Sequence, residues 1–361
     1  MKILVIHASA GAGHTKAAEA LFSHLKETTS FDVKIADSLE YSSWIYQKAY
    51  RQGYAFLVGR VPWLWGLLFG LADAPALSCL SKFLQRVGNN IHAKPLKKFL
   101  IAEKFDYIFS THFLANEIAG YLKKRGMIHS QIVSIVTDYD VHRIWLADGI
   151  DYYTVACDYT KERLIKLGVR EVKIVVSGIP TDKKFSRPVD NHELRIKLQI
   201  KEGVFTVLIA TGSFGIGPIE QVINRLRGYQ ILVVCGRNKK LFHKLVQKNM
   251  ELVKVCALVS NMDELMSAAD VMITKPGGLS ISEALVKGLP LVFFSAIPGQ
   301  EAHNARILKS YGIGFTGKSI DDIHAEIKKL SSSKDYYALM QKNIAQLARP
   351  SAINEIARLI P

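Results

Sequence analysis

The chain has 361 residues, 49% of them hydrophobic, and 47 Lys plus Arg against 32 Asp plus Glu give a formal net charge of +15. That length accommodates two domains with separate cores, and the composition excludes a disordered chain. The charge points to a polyanionic partner. With no Lys/Arg tail and no nucleic-acid-binding signature, nucleic acid is set aside, which leaves an anionic membrane surface or a solvated basic exterior.

Met1-Lys2 lead straight into an apolar run, without the hydrophobic segment and cleavage site of a signal peptide. Residues 2–6 read as a strand and 16–27 as an amphipathic helix. Between them lies Ala8-Ser9-Ala10-Gly11-Ala12-Gly13-His14-Thr15. Lys16 stands where the dinucleotide fingerprint has its third glycine, and the loop is no Walker A motif, so NAD and ATP are poorly supported. An imidazole with a pKa near 6.5 at such a turn suits proton transfer from a hydroxyl; the bland alternative is a His that caps the helix or meets solvent.

Residues 42–100 break the rhythm. Trp44, Tyr46, Tyr50, Tyr54 and Phe56 precede an apolar run from Val61 to Leu71 that holds Trp63, Trp65, Leu67, Leu68 and Phe69; Lys82, Arg86, Lys94, Lys97 and Lys98 follow. The run is too short to span a bilayer, which takes roughly 20 residues. Aromatic residues beside basic ones suit a segment lying in the membrane interface; a helical insertion packed on the first domain is the other reading. Cys79, Cys157, Cys235 and Cys256 lie far apart with no metal-ligand spacing, as in reduced, buried thiols.

Further strands are expected at 107–110, 132–137, 152–156 and 173–176, then at 206–210, 230–235, 254–259, 271–274 and 291–294. Continuous apolar strands separated by amphipathic stretches such as 161–167 predict parallel α/β sheets covered on both faces. The polar stretch 177–188, with two prolines, reads as a linker. Two doubly wound domains facing across a cleft are therefore expected, with a helical tail over 333–360 that crosses back to the first.

The loops after these strands carry the polar residues. Asp138 and Asp140 form a DxD pair, but no third metal ligand is evident; Asp138 suits orienting a His or binding a hydroxyl. Residues 211–217 contain three glycines, Arg237 follows 230–235, and Met262 lies just past 254–259. The strongest signal is Lys275-Pro276-Gly277-Gly278-Leu279-Ser280, with Glu283 beyond. Strand, glycine turn and helix N-terminus make a phosphate site, with Lys275 beside it and Ser280 and Glu283 in capping-box spacing. Pro298-Gly299-Gln300-Glu301 ends the next strand. Open α/β sheets bind ligands at such carboxyl ends, which suggests a nucleotide-linked substrate.

Five stretches carry a resemblance over most of the chain. They are Ser9–His14 in the first loop, Thr137-Asp138 with His142-Arg143-Ile144-Trp145, Ser177-Gly178-Ile179-Pro180, Lys275-Pro276-Gly277-Gly278 with Ser282-Glu283-Ala284, and Pro298-Gly299-Gln300-Glu301 with Asn304-Ala305. They resemble the monogalactosyldiacylglycerol synthases and processive diacylglycerol glucosyltransferases and, more remotely, the N-acetylglucosaminyltransferase of the peptidoglycan lipid intermediate.

The resemblance implies the glycosyltransferase-B fold and transfer of a hexose from a UDP-sugar to diacylglycerol with inversion. It implies an acceptor and membrane domain over 1–180, a UDP-sugar domain over 181–340 and a returning helix over 341–361. Glu283 would hold the ribose, the N–H groups of Gly277, Gly278 and Leu279 the diphosphate, Gln300 and Glu301 the hexose, and Met262 would lie near uracil. Gly13, Ser213, Arg237 and Lys275 complete the donor set; His14, with Asp138, would serve the acceptor hydroxyl. No metal or other cofactor is implied. The expected place is the cytoplasmic face of a membrane, as a peripheral protein on anionic lipids. Two departures stand out: Gly11-Ala12-Gly13 in place of three adjacent glycines, and the bulky Phe214 in the second glycine loop. A transferase for polyprenyl-linked sugars, a UDP-sugar epimerase and a non-catalytic membrane binder are the competing readings.

Overall fold

The computed structural model describes residues 1–9, 11–44, 46–49, 53, 61–73, 93–294 and 298–361. Ala10, Tyr50, Tyr54, Phe56, Cys79, Lys82 and Arg86 lie outside the described residues. The chain divides into two compact units. The first comprises Met1–Asp182, the short segment up to His303 and Ser351–Pro361; the second comprises Lys183–Ala296 and Asn304–Pro350.

Each unit is built on a six-stranded parallel sheet. In the first these are β1 (Lys2–His7), β2 (Asp32–Asp37), β3 (Tyr107–Ser110), β4 (Gln131–Ile135), β5 (Tyr152–Val155) and β6 (Ile174–Val176), in the order β2-β1-β3-β4-β5-β6. In the second they are β7 (Thr206–Ala210), β8 (Gln230–Val234), β9 (Val253–Cys256), β10 (Val271–Thr274), β11 (Leu291–Phe294) and β12 (Phe315–Gly317), in the order β12-β11-β10-β7-β8-β9. Both sheets are doubly wound, as expected. The central strands are apolar throughout because helices cover both faces: every residue of β7, β8, β10 and β11 is buried.

In each sheet the chain runs out to one side of its first strand and then returns to the other. The strand order reverses between β1 and β3 in the first unit, and between β7 and β10 in the second. Loops diverge at such points, and the crevice left at the carboxyl ends of the strands is where this architecture takes ligands.

Two strands escaped the sequence reading. Asp32-Val33-Lys34-Ile35-Ala36-Asp37 carries charges because β2 is an edge strand, and β12 is an edge strand of only three residues. Residues 333–360 form two helices, Lys334–Leu347 and Ala352–Ala357, separated by extended backbone at Ala348. The first stays with the second unit; only Ser351–Pro361 joins the first. There Ile353 and Ile356 complete an apolar cluster with Ile3, Leu21, Leu25 and Phe109.

Ile356 is fully buried in that cluster. Truncation removes its methylene and methyl groups and leaves a cavity, so Ile356→Ala should cost the first unit about 2–5 kcal/mol. Urea unfolding followed by circular dichroism checks this. A loss under about 0.5 kcal/mol, the range of surface substitutions, would show that the tail helix is not part of this core.

Candidate functional site

The first reversal point gathers histidines. β1 ends at His7, and the helix Ala12–Thr28 opens five residues beyond it, its N-cap Gly11 providing no side-chain cap. Gly13 and His14 lie in its first turn. His14 Nδ1 is 2.8 Å from the Thr111 carbonyl, just past β3, and 2.9 Å from Thr137 Oγ1, beyond β4. A carbonyl only accepts, so Nδ1 carries the proton and the lone pair sits on Nε2. Thr111 Oγ1 donates in turn to the His14 carbonyl at 2.9 Å. The His112 ring meets His14 edge-on at 4.8 Å, and Trp145 lies 6.2 Å away. Burial pulls the half-buried His14 imidazole down to about 4; the Thr111 carbonyl opposes this and His7 adds to it. The ring is therefore neutral near neutral pH, with a fixed tautomer and Nε2 able to take a proton.

The loop after β4 brings Asp138, Asp140 and His142 to the same edge. Both oxygens of the buried Asp138 are 2.6 Å from Gln300 Nε2. Asp140 faces His303 Nδ1 at 3.1 Å. His142 Nδ1 accepts from the Ile144 N–H, so Nε2 carries a proton and donates to the Phe69 carbonyl at 2.9 Å. The DxD carboxylates thus meet different partners, and among the described residues no group of three His, Cys, Asp or Glu side chains is placed to hold a metal ion.

Phe69 belongs to the helix Pro62–Asp73. Trp63, Leu67, Leu68 and Leu71 stand out to solvent, with Trp63 66% exposed. Trp65 and Phe69, expected beside them, are half-buried, and Phe69 lies against the His142 ring at 4.2 Å. The helix has an outward apolar face and an inward aromatic one, so only part of the expected membrane set faces outward. Among the described residues no helix is long and apolar enough to cross a membrane.

At the second reversal point the loops after β7 and β10 leave side by side. Residues 211–217 are tied down by the next loop: Arg237 N–H donates to the Ser213 carbonyl at 2.8 Å, and Asn238 Nδ2 to the Gly215 carbonyl at 3.0 Å. Gly215 has φ +55, and a Cβ there would sit 2.1 Å from the Cys235 carbonyl, so this glycine is needed for the close approach. Phe214 points outward, 57% exposed, and the Arg237 side chain is also exposed.

After β10, Lys275 leads into the helix Gly278–Val286, whose N-cap is Gly277. This corrects the expected cap: Ser280 lies inside the helix, and no side chain caps its N-terminus. The first N–H groups of that turn therefore have no capping side chain. A Cβ on Gly277 would find nothing within 4 Å, so no packing in the protein demands glycine there. The half-buried Lys275 ammonium has no hydrogen-bond or ion-pair partner among the described residues. Leu279 is buried, Glu283 is half-buried one turn further on, and Met262 opens the helix Met262–Ala268. Gln300 and Glu301 begin the helix Gln300–Ser310.

Sequence reasoning missed two residues that set this geometry and gave no role to a third, Asn304, noted only as part of a motif. Thr111 and His112 fix and flank His14; their signal is their position just past a central strand. Asn304, fully buried, donates to the Pro276 carbonyl at 3.1 Å and holds the glycine turn.

A family model for monogalactosyldiacylglycerol (MGDG) synthase matches residues 14–181, and one for the glycosyltransferase family 28 C-terminal domain matches residues 206–356. A processive diacylglycerol beta-glucosyltransferase of Bacillus cereus (strain AH187) is 27% identical over 374 residues, covering 99% of this chain and 93% of that relative. The crystal structure of MurG from Acinetobacter baumannii aligns with a TM-score of 0.64 at 14% identity, over 100% of this chain and 99% of that one. Anabaena HepE in complex with UDP-glucose aligns with a TM-score of 0.56 at 14% identity, again over 100% and 99%. At such identity the structures speak for the fold alone. The two family models follow one another along nearly the whole chain, one on each sheet. The chain belongs to the monogalactosyldiacylglycerol synthase and processive diacylglycerol glucosyltransferase family, with the glycosyltransferase-B fold.

Proposed function

We propose that this protein transfers a hexose from a UDP-sugar to diacylglycerol, with inversion, at the cytoplasmic face of a membrane. The observation that carries the reading is the neutral His14, with its proton fixed on Nδ1 and its lone pair on Nε2. The acceptor is supported by the Bacillus cereus relative, named a diacylglycerol glucosyltransferase, and the donor by the Lys275–Gly277 turn and the uncapped helix N-terminus, which suit a diphosphate.

In this mechanism the acceptor hydroxyl oxygen attacks the anomeric carbon from the side opposite the diphosphate. The bond from that carbon to the phosphate oxygen breaks, UDP leaves with the electron pair, and the hydroxyl proton passes to His14 Nε2. Inversion needs this one base and no covalent intermediate. The charge that develops on UDP falls to Lys275, to the N–H groups of Gly277, Gly278 and Leu279, and to the uncapped end of the Gly278–Val286 helix. Ser213, Arg237, Met262 and Glu283 fill out the nucleotide site, Gln300 and Glu301 the hexose site, and Gly13 lines the approach to His14. The UDP-sugar is a co-substrate; the reading calls for no other cofactor. The outward face of Trp63, Leu67 and Leu68 enters the interface, and the basic balance of the chain favours anionic lipid.

Replacing the base should lower turnover far more than donor binding. His14→Gln is expected to reduce kcat about 100-fold or more with a nearly unchanged KM for the UDP-sugar. The base acts unprotonated and burial lowers its pKa, so wild-type activity should persist as pH falls through 6.5 and fail only on approach to about 4. A pH–rate profile whose acid limb sits at 6.5 or above, or an active His14→Gln, would remove His14 from this role.

The Gly277 position separates a ligand requirement from a folding one. Because a Cβ there meets open space, Gly277→Ala should leave the thermal midpoint unchanged. UDP affinity should fall about tenfold, since the methyl group stands where the diphosphate approaches the backbone. Calorimetric titration with UDP checks this, and undiminished affinity would move the diphosphate elsewhere.

A further inference from the structure

We propose that the inward face of the apolar Pro62–Asp73 helix positions the hexose-binding segment 298–303, with Gly66 and Phe69 as the positioning residues. This inference rests on the proposed function, since it takes Gln300 and Glu301 as the residues that hold the hexose.

The helix is fastened at its carboxyl end. The Asp73 carboxylate accepts from the Arg143 N–H at 3.0 Å and from Arg163 Nη2 at 2.8 Å, and the Phe69 carbonyl accepts from His142. Arg143 and His142 belong to the loop that carries Asp138 and Asp140. On the inward face, the helix closes on segment 298–303 at two glycines, Gly66 of the helix and Gly299 of the segment. A Cβ on Gly66 would lie 2.6 Å from Pro298 Cβ, and a Cβ on Gly299 would lie 3.1 Å from the Phe69 ring. Helix and segment thus touch where neither has room for a methyl group. The Phe69 ring also meets the His303 ring edge-on at 6.1 Å.

Segment 298–303 is held from the other side through its own side chains, Gln300 to Asp138 and His303 to Asp140. Its placement is set by two supports, the carboxylate loop and the helix, and the helix is itself pinned to that loop. The outward face of the same helix carries Trp63, Leu67, Leu68 and Leu71. One element of twelve residues therefore connects the apolar outer surface to the residues assigned to the sugar. A shift of that helix moves Gln300 and Glu301, whereas the nucleotide contacts at Lys275 and Gly277 lie on another element.

Two glycines of the helix supply the test. Ala is a better helix former than Gly by about 1 kcal/mol, so Gly66→Ala and Gly70→Ala should both favour the helix itself. They differ in what the new methyl group meets: Pro298 at Gly66, nothing within 4 Å at Gly70. Calorimetric titrations of the full chain with UDP, UDP-glucose and UDP-galactose compare wild type with the two variants. Gly66→Ala is expected to weaken the preferred UDP-hexose about tenfold while UDP affinity stays within about twofold, and Gly70→Ala is expected to match wild type. Equal behaviour of the two variants overturns the inference, as does a loss of UDP affinity in Gly66→Ala as large as the loss for the UDP-hexose. A wild type that binds UDP but neither UDP-hexose brings down the functional reading itself, and the inference with it.

Discussion

A parallel sheet whose strand order reverses leaves backbone amides uncovered at one place along its carboxyl edge, because the two loops there depart in opposite directions. This chain meets that constraint twice, between β1 and β3 and between β7 and β10. The two places are filled with opposite chemistry. The first receives a desolvated, neutral imidazole held by a carbonyl, a proton acceptor with no net charge. The second receives a lysine and an uncapped helix N-terminus, a site for negative charge. A neutral base for an acceptor hydroxyl and a cationic cradle for a leaving diphosphate are what a single displacement at a sugar carbon requires, and the fold supplies a ready position for each.

Much of this was legible in the residues. Strands 107–110, 206–210, 271–274 and 291–294 were read with their observed bounds, because a strand covered on both faces is apolar along its whole length and cannot be confused with a polar loop. Of the four edge strands, β6 and β9 were legible from their apolar residues, whereas β2 was hidden by its charged residues Asp32, Lys34 and Asp37, and β12 by its length of only three residues. The cap of the Gly278–Val286 helix failed for a different reason. Ser280 and Glu283 have the spacing of a capping box, and a helix capped that way would have its first N–H groups occupied. The helix instead begins earlier, on glycine, and leaves them uncapped. The local rule breaks at the place assigned to the diphosphate, as functional sites often break local rules.

The partners of His14 were hidden for a topological reason. Thr111 is 97 residues away and Thr137 is 123 away, and they converge only once β3 and β4 are known to lie side by side next to β1. The residue type and the loop were readable; the tautomer was not. The same holds for Phe69. Its aromatic side chain in an apolar run suggested contact with lipid, yet the helix turns it inward onto His142, because a helix 12 residues long presents two faces and only one can look outward.

Wild-type protein incubated with diacylglycerol in mixed anionic vesicles and radiolabelled UDP-glucose or UDP-galactose, in separate reactions, should produce a labelled glycolipid from one of the two donors. Absence of labelled lipid with either, from protein that still binds UDP, would contradict the assignment of diacylglycerol as acceptor and leave a nucleotide site serving another reaction.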